Sequence, residues 1–388
     1  MNTIRDRLSE KAARNRVPIM CAFELLPVCN LSCRMCYVRK SMSEVRQAGG
    51  LKNAEWWLNL ARQGRELGLL YPLLTGGEPF LHPDFRKIMS GMLDMGLQVS
   101  INSNGTLIDR DWAAWLGDHR PVRINMTLYG ASSETYGRLC GNPDAFQRVL
   151  EAVSLLKEYG VAVKFNASIT PENVQDLDGI IAYAKEQECP VQIATYMFPP
   201  IRRDSTMVGQ NDRLTPEEAA LARVRADFLQ AEPEWFAGQA RRFSHFVPLD
   251  ALDQYRQPSG PMHMRCRAGL CSFWIDWQGN LTNCGMYGSA HAAMEGRSFR
   301  EAWQELVERT EQVAYAPFCS GCPNQALCHP CVAMVNNECG DLNGKPEYLC
   351  RMNAESARLY QEYAKCLPDS ATADTTADVP QQDDLCMP

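Results

Sequence analysis

Ile19-Met-Cys-Ala-Phe-Glu-Leu-Leu26-Pro-Val-Cys29-Asn-Leu-Ser-Cys33-Arg-Met-Cys36-Tyr37 is the stretch on which the fold turns. Ile19–Leu26 is a short apolar run that reads as a strand, and the loop leaving it carries three thiols in the spacing Cys-x3-Cys-x2-Cys. Five more such runs follow: Leu70–Thr75, Leu97–Asn102, Val122–Leu128, Val161–Ser168 and Val191–Met197. Amphipathic stretches such as Asn53–Leu67, Pro83–Met95, Asp144–Tyr159 and Asn173–Glu186 lie between them. Strands separated by helix-length crossovers predict a parallel sheet. It either closes partly, as an incomplete (β/α)6 barrel, or stays open and doubly wound. In both cases ligands collect at the C-terminal ends of the strands, where the three thiols lie.

The composition narrows the class. The chain has 388 residues, enough for a full α/β core and a smaller second module. Its net charge is −7, but five Asp and no Lys or Arg fall within Leu367–Pro388, leaving the body near −2. Such a body argues against nucleic acid as a partner. No segment has the apolar length of a membrane span, and the Arg-, Lys- and Glu-rich first 17 residues do not read as a signal peptide. The expected location is therefore cytoplasmic, where thiols stay reduced. Seventeen cysteines against six histidines then read as metal or cluster ligation by soft thiolates, not as disulfides.

Three closely spaced thiolates can hold three irons of a cubane and leave the fourth open to a small molecule. A structural zinc would need a fourth ligand; Cys21 is the candidate, but it sits inside the expected strand. The run Cys29-Asn-Leu-Ser-Cys33-Arg-Met-Cys36-Tyr37 resembles the cluster loop of the radical S-adenosylmethionine superfamily, with Met35 where the family usually has an aromatic next to the adenine. Thr75-Gly76-Gly77-Glu78-Pro79 resembles that family's G-G-E-P loop, which implies that Gly76, Gly77 and Glu78 meet the amino group of the cofactor's methionine part. Ser103 and Asn104 resemble its ribose-contacting position, and Thr127 with Arg138 the pair that grips the methionine carboxylate. Each also has a plainer reading: a glycine turn into a helix, a strand-end turn, a solvated charge.

A second set of cysteines begins after His263. Cys266-x4-Cys271-x12-Cys284 precedes Cys319-x2-Cys322-x5-Cys328-x2-Cys331, and Cys350 closes the set. Phe-Trp-Ile-Asp-Trp, then Gln278-Gly279-Asn280, then Leu281-Thr282 read as a hairpin that brings Cys271 and Cys284 together. The pattern resembles the SPASM domain, a small α+β module with two auxiliary [4Fe–4S] clusters; a pair of zinc-ribbon sites is the competing reading. The resemblance implies Cys266, Cys271, Cys284 and Cys331 for the first cluster and Cys319, Cys322, Cys328 and Cys350 for the second. The short Cys328–Cys331 spacing leaves Cys339 as a substitute for Cys331. Of the other cysteines, Cys21, Cys140 and Cys189 read as core residues and Cys386 as an exposed thiol. The expected division is a barrel core over 1–200, a helical bridge over 201–262 that restarts at the helix signal Thr215-Pro216-Glu217-Glu218, a cysteine-rich module over 263–366 and a disordered acidic tail over 367–388.

The resemblance implies an oxidoreductase with three [4Fe–4S] clusters. The cluster at the first triplet would be reduced by a flavodoxin- or ferredoxin-type donor and would cleave S-adenosylmethionine to a 5′-deoxyadenosyl radical. Proteins of this two-module layout mostly modify peptides or proteins, so a peptide maturase is the leading expectation. The 28 residues before Cys29 are too few for the leader-binding domain of many such enzymes. Sulfatase maturases, which dehydrogenate a Cys or Ser, typically have Asp where Gly285 follows Cys284, which weakens that alternative. Radical modification of a small molecule is a second enzymatic reading, and a multi-cluster electron carrier a non-enzymatic one. No residue stands out as catalytic acid or base.

Overall fold

Six parallel strands lie side by side in the order in which they occur in the chain: β1 (Met20–Glu24), β2 (Tyr71–Thr75), β3 (Ser100–Ser103), β4 (Arg123–Thr127), β5 (Val163–Ser168) and β6 (Val191–Ala194). This is a computed structural model, and it describes residues 4–367 apart from Asn211, Pro258, Ser259 and Arg265. The acidic tail and Cys386 therefore lie outside the described residues, with the exception of Leu367. Sequential order with right-handed crossovers puts every crossover helix on the same face of the sheet. The two alternatives left open by the sequence are thereby resolved in favour of the partial (β/α)6 barrel.

The helices Ala54–Glu66, Phe85–Asp94, Arg110–Asp118, Ala145–Glu158 and Leu177–Glu186 occupy the crossovers. Side chains alternate across a strand, so the helix-facing positions Phe23, Leu74, Ile101, Ile124, Met126 and Phe165 form a core with no exposed surface. The opposite, inner face is unusually polar: Glu24, Thr75, Asn102, Asn125, Lys164 and Asn166 lie along it.

The later strands are β7 (Met262–His263), β8 (Ser272–Ile275), β9 (Leu281–Cys284), β10 (Tyr287–Ala292) and β11 (Ala314–Tyr315). The expected hairpin is β8–β9, turned by Asp276, whose Oδ1 accepts from Gln278 N and Asn280 N at 2.9 Å each. Beyond that expectation, β8 also pairs in parallel with β1, Met20 opposite Ser272 through Phe23 opposite Ile275. The barrel sheet and the hairpin of the cysteine-rich stretch are thus one nine-stranded sheet, and β7 pairs with β11 in a second, two-stranded sheet. Phe273 seals the seam, its ring centroid 6.3 Å from Phe23, 4.9 Å from Phe299 and 5.9 Å from Trp303.

Thr215 caps the helix Pro216–Gln230 as its sequence predicts: Glu218 N donates to Thr215 Oγ1 at 3.2 Å and Thr215 N donates to Glu218 Oε2 at 2.9 Å. The last helix, Glu347–Ala364, packs on it and on Pro233–Phe243, with Tyr360 stacked on Phe243 at 4.8 Å.

Candidate active site

The two glycines of the β2 loop seat the cysteine loop. Gly77 N donates to Leu26 O at 2.7 Å and Glu78 N to Val28 O at 2.9 Å, so the loops after β1 and β2 continue the strand pairing. A Cβ on Gly76 would run into the backbone of Leu26, and one on Gly77 into that of Val28; Gly76 also has φ +149°. On its other side the cysteine loop caps a helix end. Ser32 N donates to Cys140 O at 3.0 Å and Arg34 N to Leu139 O at 3.3 Å, occupying carbonyls that the helix Ser133–Cys140 leaves unpaired.

Cys29, Cys33 and Cys36 are all partly buried. Cys29 Sγ accepts from Leu31 N at 3.4 Å and from Asn104 Nδ2 at 3.6 Å, and Cys36 Sγ from Arg39 N at 3.3 Å. Cys33 lies beside Tyr129, which hydrogen-bonds to it. Burial outweighs these donors and pushes the Cys29 thiol up to about 11, and that of Cys33 higher still. A metal centre reverses this balance by replacing the proton. Among the described residues no three His, Cys, Asp or Glu groups close on one point as ligands of a single ion do. Thiolates of a polynuclear cluster stand wider apart, since iron and sulfide lie between them. Three soft donors on one loop, held by N–H donors, fit an iron–sulfur cluster.

Glu78 joins three of the motifs. It has no exposed surface, and its carboxylate accepts from Ser103 Oγ at 2.9 Å, Asn104 N at 2.8 Å and Phe80 N at 3.3 Å. Three donors occupy most of a carboxylate's roughly four acceptor sites. Burial nevertheless prevails and raises its pKa to about 7. Asn104 Nδ2 donates to Asn30 Oδ1 at 2.9 Å as well as towards Cys29, and its Oδ1 accepts from Thr106 Oγ1 at 2.6 Å. Asn30 and Thr106, 2.8 Å apart, and Tyr129 belong to this site, although nothing in their local sequence marks them.

Thr127 ends β4 on the inner face, opposite Asn166. Arg138 is already engaged: Nη1 meets Glu134 at 2.6 Å, and Nη2 donates to Thr135 Oγ1 at 3.2 Å and Glu172 O at 3.3 Å. Met35 lines a cavity with Arg34, Leu139, Thr170, Glu172 and Arg213. Deeper in the barrel, Asn125 donates to Asn102 Oδ1 at 2.8 Å, while its own Oδ1 and that of Asn166 are buried without a hydrogen-bond donor. Glu24, 1% exposed, holds Arg202 in a two-point ion pair at 3.0 Å and accepts from Trp274 Nε1 at 3.0 Å. Arg202 also donates to Gly285 O at 3.0 Å.

Cys319, Cys322, Cys328 and Cys350 line one cavity. The other four thiols lie outside the lining of that cavity, and the β8–β9 register sets Cys271 and Cys284 at neighbouring strand ends. Cys284 and Cys331 pack around one apolar cluster with Tyr287 and Val332, whereas Cys271 is fully buried against Ala12, Ile19 and Met20. Cys266 is half-buried. Cys331 caps the helix Val332–Cys339, accepting from Met334 N at 3.4 Å. Cys339, at the far end of that helix, lies within the electrostatic reach of Cys350. Of the remaining cysteines, Cys21 and Cys140 are buried, Cys189 is half-buried and Cys366 is exposed. A Cβ at Gly285 would come within 2.8–2.9 Å of the Trp274 ring, so an Asp does not fit there without displacing that ring.

A family model described as the radical SAM superfamily matches residues 23–184. The chain is 24% identical over 336 residues to an AdoMet-dependent heme synthase of Methanosarcina barkeri, spanning 81% of this chain and 93% of that protein. It is 32% identical over 237 residues to a probable GTP 3′,8-cyclase of Sulfurisphaera tokodaii, spanning 60% and 72% respectively. The solved structure of Streptococcus suis SuiB bound to precursor peptide SuiA shares the fold with a TM-score of 0.63 at 15% identity, over 89% of this chain and 80% of that one. No helix among the described residues is long and apolar enough to cross a membrane.

Proposed function

The chain belongs to the radical SAM superfamily and is an enzyme that uses a [4Fe–4S] cluster and S-adenosylmethionine, and from that premise we propose that it is an oxidoreductase acting on a peptide. The observation that carries this reading is the cavity ringed by Cys319, Cys322, Cys328 and Cys350. Four thiols around one space suit a fully ligated auxiliary cluster, which has no open iron and serves to move electrons. That layout belongs mostly to peptide-modifying members of the superfamily, and a protein of the same fold binds a precursor peptide.

In this reading Cys29, Cys33 and Cys36 hold the cleaving cluster, which with S-adenosylmethionine supplies a hydrogen-abstracting radical. Gly76 and Gly77 fix the loop that presents those thiols. Glu78 orients Ser103 and Asn104 towards the cofactor and keeps an acceptor near its ammonium. Thr127 and the cavity at Met35 offer room for the remainder of the cofactor. Arg138 reaches a carboxylate by exchanging Glu134 or Glu172 for it. The donorless Oδ1 atoms of Asn125 and Asn166 suit N–H groups of a substrate lying in the barrel.

A second reading, radical modification of a small molecule, is favoured by the near full-length likeness to the heme synthase. Anaerobically reconstituted protein with dithionite and S-adenosylmethionine is to be offered short peptides encoded beside its gene. The peptide reading predicts the loss of two hydrogens from one of them, as a new crosslink or a new double bond, the second electron leaving through the auxiliary cluster. If 5′-deoxyadenosine accumulates and only a tetrapyrrole carboxylate turns over, the second reading replaces the first.

A further inference from the structure

Besides Asn324 and Gln325, which lie between Cys322 and Cys328, the cavity of Cys319, Cys322, Cys328 and Cys350 has a third polar wall residue, Asn353, on the last helix. Asn353 stands one turn beyond Cys350 on the helix Glu347–Ala364 and is 3% exposed. Its Nδ2 donates to Cys328 Sγ at 3.2 Å and to Leu349 O at 2.9 Å, and its Oδ1 accepts from Arg223 Nη1 at 3.3 Å. The surroundings fix this orientation. A guanidinium can only donate, so it faces the amide oxygen, and the NH2 is left for the carbonyl and the sulfur. The three groups form a chain, Arg223 to Asn353 to Cys328. A cation bonded to the amide oxygen polarises the amide and strengthens the N–H that points at sulfur.

Reduction of a four-thiolate cluster adds one electron to a centre that is already anionic. Hydrogen bonds to its sulfurs and nearby cations favour the reduced form and raise the potential. Arg256 and Lys345 stand on the same side of the molecule, both over the Phe318 ring that lines the cavity. We propose that Asn353, backed by Arg223, is a positioning residue that raises the reduction potential of a cluster held by Cys319, Cys322, Cys328 and Cys350. This rests on the reading that those four thiols hold a cluster, which is tested separately below.

The experiment is a dye-mediated potentiometric titration, followed by EPR, of full-length reconstituted protein carrying Cys29, Cys33 and Cys36 as Ala, which removes the cleaving cluster's signal. Iron is first counted with and without Cys319→Ala and Cys322→Ala; an unchanged count overturns the reading of the cavity as a cluster site. If the count falls, Asn353→Leu is expected to make one component about tenfold harder to reduce, a drop of about 59 mV for a one-electron couple. Asn353→Asp should lower it further, and Arg223→Met should lower the same component by less. A component that keeps its midpoint in Asn353→Leu, or in Arg223→Met where Asn353→Leu does not fold, overturns the proposal even though the cluster is present.

Discussion

Glu78 has an ordinary carboxyl value of 4.5 outside the fold and titrates near 7 inside it, because burial outweighs its three donors. Between those two pH values the folded chain holds a proton that the unfolded chain does not. Stability of the metal-free chain therefore falls as pH rises from about 4.5 to 7, by about 3 kcal/mol, and this contribution is flat on either side. Urea unfolding of wild type and Glu78→Gln across that range checks the point. The variant is expected to lose this slope, and to be weaker at low pH because its NH2 meets the Asn104 N–H. At this scale the glycine pair, Glu78, Ser103 and Asn104 were legible from the sequence, since each stands in a short motif right after a strand. The structure adds that the glycines serve the cysteine loop directly, through backbone contact with Leu26 and Val28. Asn30, Thr106 and Tyr129 were not legible. An Asn between cysteines and a Thr in a turn are unremarkable locally, and only the placement of β1 to β4 in order across one sheet brings the loops after β1, β3 and β4 together.

Strands are where the sequence spoke most clearly. All six barrel runs and the hairpin are present, most with ends drawn in by a few residues, while β3 runs one residue past its expected end to Ser103. The β1–β8 seam could not be read, because nothing local in Ser272–Ile275 says which distant edge it joins. The Glu24–Arg202 pair ties the elements at this seam. Arg202 lies beyond β6, Glu24 ends β1, Trp274 is on β8, and all three meet. Arg202→Met leaves Glu24 buried without its countercharge, which costs about 3–5 kcal/mol at pH 7.5. The loss shrinks at pH 5, where a neutral Glu24 is easier to bury. Joining Glu24→Leu to Arg202→Met should recover much of it. Denaturant midpoints of the two variants at both pH values decide the matter, and equal losses at the two pH values would count against the pair as the cause.

Across the whole molecule, the continuous sheet carries the first cysteine triplet at the C-terminal end of its first strand, while one four-thiol cavity lies beyond the sheet under the last helix. The spacing of the triplet was enough to anticipate that its three thiols share one loop after the first strand. The spacing of the later cysteines, read through the family resemblance, sorted eight of them into two sets of four; the structure places one set around a single cavity and packs Cys271 of the other against Ala12 and Met20. That difference reflects how each is built: a triplet on one loop is set by local chain, whereas a site drawn from a hairpin, a helix cap and a loop depends on how those pieces pack. The most direct test is therefore made on the triplet. Reconstituted protein is incubated anaerobically with S-adenosylmethionine and dithionite, and 5′-deoxyadenosine is quantified for wild type and for the chain with Cys29, Cys33 and Cys36 changed to Ala. The expected result is 5′-deoxyadenosine from wild type and none above background from the variant, with iron lower in the variant by about one cluster. Equal 5′-deoxyadenosine from the two proteins, or none from a wild-type chain that holds its iron, would contradict it.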